Sequence, residues 1–246
     1  VDSKENTRLT SHYAEYHRDS EYTLLEENPV FVQLDSSGHE ETRIVGKTME
    51  SLAGGERISV DQEVVITHKD IRAVCGHADY DRSQEKIVLT KEPVAYQKQN
   101  RLAGKKIELH LRERTVTEVH VIEQAVAEFV ADSSADASRP NTISGQKLIA
   151  YIEGDFVEKI DVTGTATCVY YVVENGVDKG MNRTHGDSMT LFLLANNIRR
   201  IILNSKPGKS TGKFLPPGHA LPGDTAAKKA EQKKVAEKKK DTRPSP

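Results

Sequence analysis

The chain has 246 residues, an apolar share of 36%, no Trp and a formal net charge of −2. A compact globule usually has about 45–50% apolar residues with glycine included, so this composition favours an elongated fold with more surface per residue. Eight of the basic residues lie in the last 22 positions against three acids. The acidic body before them excludes general nucleic-acid binding, and no apolar run reaches the ~18 residues that a membrane span needs.

Two related patterns mark the first half of the chain. Tyr-Ala-Glu-Tyr at 13–16 precedes Asn-Pro-Val at 28–30, and His-Ala-Asp-Tyr at 77–80 precedes Glu-Pro-Val at 92–94, with the same offset of 64 residues. Between these copies, Gly46 begins a fainter version of the repeat described next. Together the patterns predict six half-units of about 25–40 residues. They start near Ser11, Gly46, Gly76, Gly104, Gly145 and Gly186.

Three of these glycines, at 104, 145 and 186, are 41 residues apart, and the same apolar pattern follows each one. A fixed period of this size predicts stacked units, none of which buries its apolar face alone. The recurring side chains are the candidate lining of a groove that could hold something long and apolar. They are Met49 and Ile58 in the fainter copy, then Ile107, Leu109, Leu111, Val116, Val119, Val121, Leu148, Ala150, Ile152, Val157, Ile160, Val162, Met189, Leu191, Leu193, Ile198, Ile201 and Leu203.

Apolar and polar residues alternate within each unit, which is typical of half-buried strands. Short turn-like segments at 112–115, 153–155 and 195–197 separate the paired strands. Segment 118–131 shows some helical spacing, but it is rich in β-branched residues, so we expect a strand there as well. The predicted fold is therefore all-β: an elongated twisted stack of antiparallel strands built from repeated strand–turn–strand units.

The domain boundaries follow from composition. Residues 132–142 and 172–183 are expected to be polar insertions, the second with Asn-Gly at a hairpin-like position at 175–176, and residues 202–223 lose alternation and gather four prolines. We therefore expect an N-terminal extension at 1–8, a β-domain at 9–217 and a disordered Lys-rich tail at 218–246. Because the first residue is Val, we expect a processed chain or one that lacks its leader.

The sequence predicts no catalytic residue, metal ligand or cofactor. Pro-Gly-Lys-Ser-Thr at 207–211 lacks the earlier glycine of a phosphate loop, because position 203 is Leu. The nine His are scattered, and His110 and His120 fall at outward-facing strand positions, where a solvated His is favoured over a metal ligand. No nucleophile elbow and no converging cluster of acids is present. Cys75 and Cys168 are expected to be small buried residues.

Several motifs together resemble a known family. They are the segments at 77–80 and 92–94 with Lys-Ile-Val-Leu at 86–89 between them, Val-Glu-Lys-Ile-Asp-Val-Thr-Gly-Thr-Ala at 157–166, and Gly-Met-Asn at 180–182 before Gly-Asp-Ser-Met at 186–189. Their order over residues 9–217 resembles the OstA/LptA family of lipopolysaccharide transport proteins. The Gly-Asp pair of that family survives only at Asp187, because Lys47, Lys105 and Gln146 replace it elsewhere.

The resemblance implies a V-shaped jelly roll in the periplasm that carries lipopolysaccharide between the inner and outer membranes. In such a protein the lipid A acyl chains lie along the inner groove, and no bond is made or broken. The implied partners are homologous β-jellyroll domains of inner-membrane and outer-membrane components, joined by edge-strand pairing, and further copies of the chain in a head-to-tail oligomer.

Two other interpretations remain open at this point. Periodicity does not separate an open groove from a closed core, so the chain could be a structural or adhesive β-solenoid. A polysaccharide-active enzyme on a β-helix is the third possibility. Register-matched positions Leu109, Ala150 and Leu191 would contact lipid only in the first case, whereas His110 and Thr190 should not contact it.

Overall fold

The computed structural model describes residues 6–113, 115–130, 139–154, 156–175, 177–194 and 197–217. Within these ranges the chain is almost entirely antiparallel β-structure, with one 3-10 turn at Ala53–Gly55. The predicted all-β stack is therefore confirmed. The strands are β1 Thr7–Thr10, β2 Tyr13–His17, β3 Tyr22–Glu26, β4 Val30–Leu34, β5 Glu40–Val45, β6 Thr48–Leu52, β7 Arg57–His68, β8 Ile71–Asp81, β9 Lys86–Thr90, β10 Val94–Gln97, β11 Asn100–Ala103, β12 Lys106–Arg112, β13 Thr115–Phe129, β14 Asn141–Glu153, β15 Phe156–Glu174, β16 Val177–Leu194, β17 Asn197–Asn204 and β18 Thr211–Leu215.

The strands form two facing legs joined along one corner. Six long strands (β7, β8, β13, β14, β15 and β16) pass through the corner and contribute one half to each leg. Strands β2, β3, β6, β9, β12 and β17 complete the first leg, and β1, β4, β5, β10, β11 and β18 complete the second. Buried side chains from both legs pack together in one apolar cluster.

A local irregularity bends three of the long strands at the corner. Register shifts occur after Asp61 in β7, after Ile122 in β13 and after Thr163 in β15. The two residues inside each shift have positive φ, as in Glu123 (58°) and Gln124 (55°) of β13. Such bulges bend a strand and increase its local twist. They let one continuous strand serve both legs, at the cost of unfavourable backbone angles at non-glycine residues.

The repeated glycines lie at the same corner, beside these bulges. A Cβ atom on Gly104 would lie 2.6 Å from Val121 Cγ1, and one on Gly145 would lie 2.6 Å from Val162 Cγ1 and 3.0 Å from the Thr163 carbonyl oxygen. Neighbouring backbones therefore approach more closely here than a side chain permits. The 41-residue period therefore corresponds to one close approach of neighbouring backbones in each unit.

The apolar pattern after each glycine forms rows across the first leg. Strand pairing places Leu109, Val119, Ala150, Ile160, Leu191 and Ile201 side by side in one row. A second row nearer the corner contains Ile107, Val121, Leu148, Val162, Met189 and Leu203. The predicted register between units is therefore confirmed.

Two segments predicted as loops are largely strand. β15 continues to Glu174 and β16 begins at Val177, so residues 172–183 are strand on both sides of the predicted hairpin position at 175–176. Residues 202–223 include the end of β17 and all of β18. Both regions lie towards the last layers of the stack, where strands have polar, exposed faces. Backbone pairing maintains these strands without the apolar alternation on which the sequence analysis relied.

The remaining segments agree with expectation or lie outside the described ranges. Segment 118–131 is strand as far as Phe129. At the N-terminus, Thr7 and Arg8 lie in β1 and pair with β4, although the sequence analysis assigned residues 1–8 to an extension. The Lys-rich tail at 218–246 and most of the insertion at 132–142 lie outside the described residues.

The corner geometry predicts that Gly145→Ala destabilises the protein. The new methyl group would meet Val162 Cγ1 and a backbone carbonyl, and overpacking of this kind costs about 1–3 kcal/mol in the free energy of unfolding. Urea unfolding followed by circular dichroism measures the change. The control is Gly212→Ala in β18, where nothing lies within 4 Å of the added Cβ. Equal effects of the two substitutions would contradict the close-approach explanation.

Candidate functional site

A cavity of about 260 Å³ lies between the two legs. Its wall is mostly apolar and comes from both legs, from β4 to β16 along the chain. We call this cavity the trough. Its apolar lining consists of Ile58, Val60, Ala78, Tyr80, Ile87, Leu89, Leu109, Leu111, Val116, Val119, Leu148, Ala150, Ile152, Val157, Ile160 and Leu193 from the first leg, and Phe31, Ile44, Ile66, Ile71, Ala73, Ala95, Tyr96, Leu102, Ala127 and Phe129 from the second.

Small side chains on the second leg keep the trough open. Ala95 pairs with Ala73 on one side and with Leu102 on the other, and Leu102 pairs with Ala127. Three of these four neighbouring positions are therefore alanine. Protein interiors normally pack to the density of organic crystals, so a row of alanines facing a row of larger aliphatics leaves space that a closed core would fill.

Polar side chains line the open side of the trough. Gln33, Thr42, His68, Gln97 and Asn100 all contribute to the lining, near the ends of their strands. The Nδ1 atom of His68 lies 2.8 Å from the Thr42 hydroxyl oxygen. Burial lowers the pKa of His68, which favours the neutral ring at neutral pH. An apolar floor with an uncharged polar rim suits an amphiphile whose polar part stays near water.

The structure places all twenty predicted lining residues on the first leg, and eleven of them border the trough. These are Ile58, Leu109, Leu111, Val116, Val119, Leu148, Ala150, Ile152, Val157, Ile160 and Leu193. The other nine pack in the corner row or in the last layers: Met49, Ile107, Val121, Val162, Met189, Leu191, Ile198, Ile201 and Leu203. Leu191 is fully buried. Lipid binding by any of these residues stays a prediction.

Sequence reasoning missed the opposite wall. Phe31, Ile44, Leu102 and Phe129 lie in the second leg, whose halves of each unit carry no regular apolar stripe. A signal that could have found this wall is the run of Ala125, Ala127 and Phe129 at alternate positions directly after the bulge in β13. Small residues contribute little to an apolar pattern. The wall that leaves the space is therefore harder to detect in the sequence than the wall opposite it.

Both cysteines are buried and free. Burial raises the pKa of the Cys75 thiol to about 11 and that of Cys168 to about 12. A thiol with a pKa this high is almost entirely protonated at neutral pH and therefore unreactive. Both residues serve as small apolar side chains, as the sequence predicts.

Outside the trough, His77 lies between two carboxylates beside the corner. Its Nε2 atom is 2.8 Å from Asp79 Oδ2, and its Nδ1 atom is 3.0 Å from Asp61 Oδ2. Lys91 Nζ also contacts Asp61, at 2.8 Å. Partial burial acts to lower the pKa of His77, but the hydrogen bond to Asp79 and the nearby charges of Asp79 and Asp61 outweigh it and raise the pKa. Lys91 and His77 together lower the pKa of Asp61.

This arrangement predicts a pH-dependent contribution of His77 to stability. Because its pKa is raised in the folded state, the added stability is fully present below the ordinary value near 6.5 and is lost as the pH rises through the folded value. We expect His77→Gln to lower the free energy of unfolding by about 0.5–1 kcal/mol more at pH 5.5 than at pH 9. Urea unfolding at both pH values tests this. His39→Gln, at a side chain that is 83% exposed, is the control and should change the free energy of unfolding less than His77→Gln does.

None of the described residues belongs to a helix that is long and apolar enough to cross a bilayer. Residues 3–115 match a family model described as "LptA/(LptD N-terminal domain) LPS transport protein". The motifs at 157–166, 180–182 and 186–189 lie beyond the matched range. No curated protein matches the chain in sequence.

A solved structure is also similar to the chain. It is the crystal structure of LptH from Pseudomonas aeruginosa, described as the LptA homologous periplasmic component of the conserved lipopolysaccharide transport device. The alignment has 14% sequence identity and a TM-score of 0.45, and it covers 59% of this chain and 95% of that structure.

Proposed function

Residues 3–115 belong to the LptA/LptD N-terminal family of lipopolysaccharide transport proteins, and on this premise we propose that the trough carries lipopolysaccharide. In this proposal the lipid A acyl chains lie in the trough while the sugars remain in water. The protein forms a periplasmic bridge between the inner and outer membranes and makes or breaks no bond.

The alanine wall of the trough is the observation that supports this function over a closed β-solenoid. Ala73, Ala95 and Ala127 face larger aliphatics of the first leg across open space. Hydrocarbon placed in that space loses contact with water, which stabilises it by about 0.8 kcal/mol for each buried CH₂ group. A sandwich whose interior served only as core would gain stability by filling the same space.

The polar rim supports the proposed orientation of the lipid. Gln33, Gln97 and Asn100 border the trough near the ends of their strands on the second leg. Such uncharged polar groups at the mouth favour a ligand whose head group is polar, and they disfavour deep entry of sugars into the apolar floor.

Filling the trough should weaken ligand binding without lowering the stability of the fold. We expect Ala127→Leu to weaken binding of a fluorescent acyl probe or of lipid A by about tenfold, because the added side chain occupies the space for hydrocarbon. The thermal unfolding midpoint should stay the same or rise, since a gap is filled. Val126→Leu, on the opposite face of the same strand, is the matched control. Unchanged probe binding by Ala127→Leu would contradict an open, lipid-holding trough.

A photo-crosslinker reports directly on contact with lipid. At Leu109 or Ala150, which border the trough, it should label with lipopolysaccharide. At His110 or Thr190, which lie on the other face of the same leg, it should not. The reverse labelling would place the lipid on the outer face.

The ends of the stack support the proposed partners. Within the described ranges, β1 and β2 at one end and β17 and β18 at the other each pair along one side only. Large apolar side chains are exposed on these strands, including Leu9, Tyr13, Ile202 and Phe214. An open edge is an aggregation hazard unless another strand adds to it. We propose that homologous domains of the inner-membrane and outer-membrane components, and further copies of this chain, pair at these edges.

An end-to-end joint predicts that Leu9→Glu weakens self-association. Leu9 is 40% exposed on the edge strand β1, and a carboxylate there would have to be desolvated in the joint. We expect a loss of about tenfold in the association constant from sedimentation velocity over a range of concentrations, which equals about 1.4 kcal/mol. Leu52→Glu, at a side chain of similar exposure (41%) on the internal strand β6, is the control. Equal loss in both variants would contradict an edge-strand joint.

A further inference from the structure

We propose that Glu108, His110 and His120, on the outer face of the first leg, bind a first-row transition metal ion such as Zn²⁺. This site is separate from the trough and does not depend on the proposed transport function. It also differs from the expectation, drawn from the sequence, that His110 and His120 are merely solvated.

Strand pairing brings the three side chains together. Glu108 and His110 are alternate residues of β12, so both point outward, and His120 on β13 lies directly opposite Glu108. One ligating atom from each residue lies within 4.8 Å of those of the other two. The two imidazole rings are 4.3 Å apart between centroids. Tetrahedral zinc with bonds of about 2.0–2.2 Å places its ligand atoms about 3.3–3.6 Å apart, so small side-chain rotations complete the site.

The Nε2 atom of His110 is the second observation that indicates a ligand. It is buried from water and has no hydrogen-bond partner. Glu108 Oε2 lies 3.6 Å from it, which is too long for a hydrogen bond. A buried polar atom without a partner costs about 1–3 kcal/mol, and a bound cation would satisfy it.

A fourth position is available on the same face. Glu118 lies opposite His110 in the strand register, and its Oε2 atom is 2.8 Å from His120 Nε2. The carboxylate can therefore complete the coordination or orient a bound water. Two imidazoles with carboxylate oxygens suit Zn²⁺, Cu²⁺ or Ni²⁺, whereas Ca²⁺ and Mg²⁺ prefer oxygen ligands throughout. His110 and Glu118 are partly exposed, which gives an ion access from solvent.

Two lysines set the strength of this site. Lys106 Nζ is 2.9 Å from Glu108 Oε1, and Lys86 Nζ is 3.1 Å from Glu108 Oε2. Two ammonium groups at this distance hold the Glu108 side chain as a carboxylate, the form that binds a metal ion. The same ammonium groups compete with a metal ion for the carboxylate. The lysines therefore weaken metal binding, and removing one should strengthen it.

Isothermal titration with Zn²⁺ tests the proposal on the full, untagged chain after treatment with a chelator. We expect one ion per chain and a loss of affinity of at least about tenfold in the His110→Gln/His120→Gln double variant. Lys86→Met should bind Zn²⁺ several-fold more tightly than the unaltered protein. His77→Gln, which alters another histidine between two carboxylates, is the control and should leave the affinity unchanged.

The visible spectrum with Co²⁺ gives an independent readout, because a tetrahedral site produces strong absorption that depends on both histidines. Absence of Zn²⁺ binding by the unaltered protein would overturn the proposal, as would equal affinity in the double variant. An unchanged or weaker affinity in Lys86→Met would contradict Glu108 as the third ligand. Far-UV circular dichroism of each variant shows that the comparison is between folded proteins.

Discussion

The close backbone approach at the corner is the constraint on which the whole architecture depends. Each long strand must turn there without breaking its hydrogen-bonded ladder, and its neighbour must come within reach of a bare Cα. Pairs of residues with positive φ, such as Glu123 and Gln124, allow a strand to turn. Glycine, as at Gly104 and Gly145, allows the neighbouring backbone to approach closely. Because bulge and glycine alternate from layer to layer, the corner forms a continuous line and the two legs face each other along their full length.

The corner also divides the chemistry of the sheet. Alternation along each strand sends one set of side chains between the legs and the other to water. In the first leg the inner set is aliphatic, whereas the outer set includes Glu108, His110, Glu118, His120 and Asp161. The ion pairs and the histidine cluster are consequently confined to the outer face, and the apolar trough is confined to the inner one. The two proposed binding sites therefore share one sheet without sharing a side chain.

The sequence predicts one half of this arrangement well. The first leg carries two aliphatic rows per unit, so the 41-residue period, the register of Leu109 with Ala150 and the strand assignment of 118–131 are all readable. The second leg cannot be predicted from the sequence in the same way. Ala73 and Ala127 matter for the space that they leave open rather than for the apolar area that they bury. Strand pairing likewise decides the meeting of His110 and His120. They are ten positions apart, and the register shift between His110 and Leu111 changes which residues pair across the two strands. Their spacing in the sequence alone therefore does not reveal that they are close.

The layered construction has a consequence for molecular length. Each layer contacts only the layers beside it, so the stack has no centre and behaves as a one-dimensional array. One 41-residue unit, such as the one from Gly104 to Gly145, adds two strands to each leg, and at about 4.8 Å per strand it lengthens the molecule by about 10 Å. Gain or loss of whole units would change the reach of the protein in steps of that size while leaving the cross-section intact. The number of glycine corners in the sequence thus determines the length of the molecule.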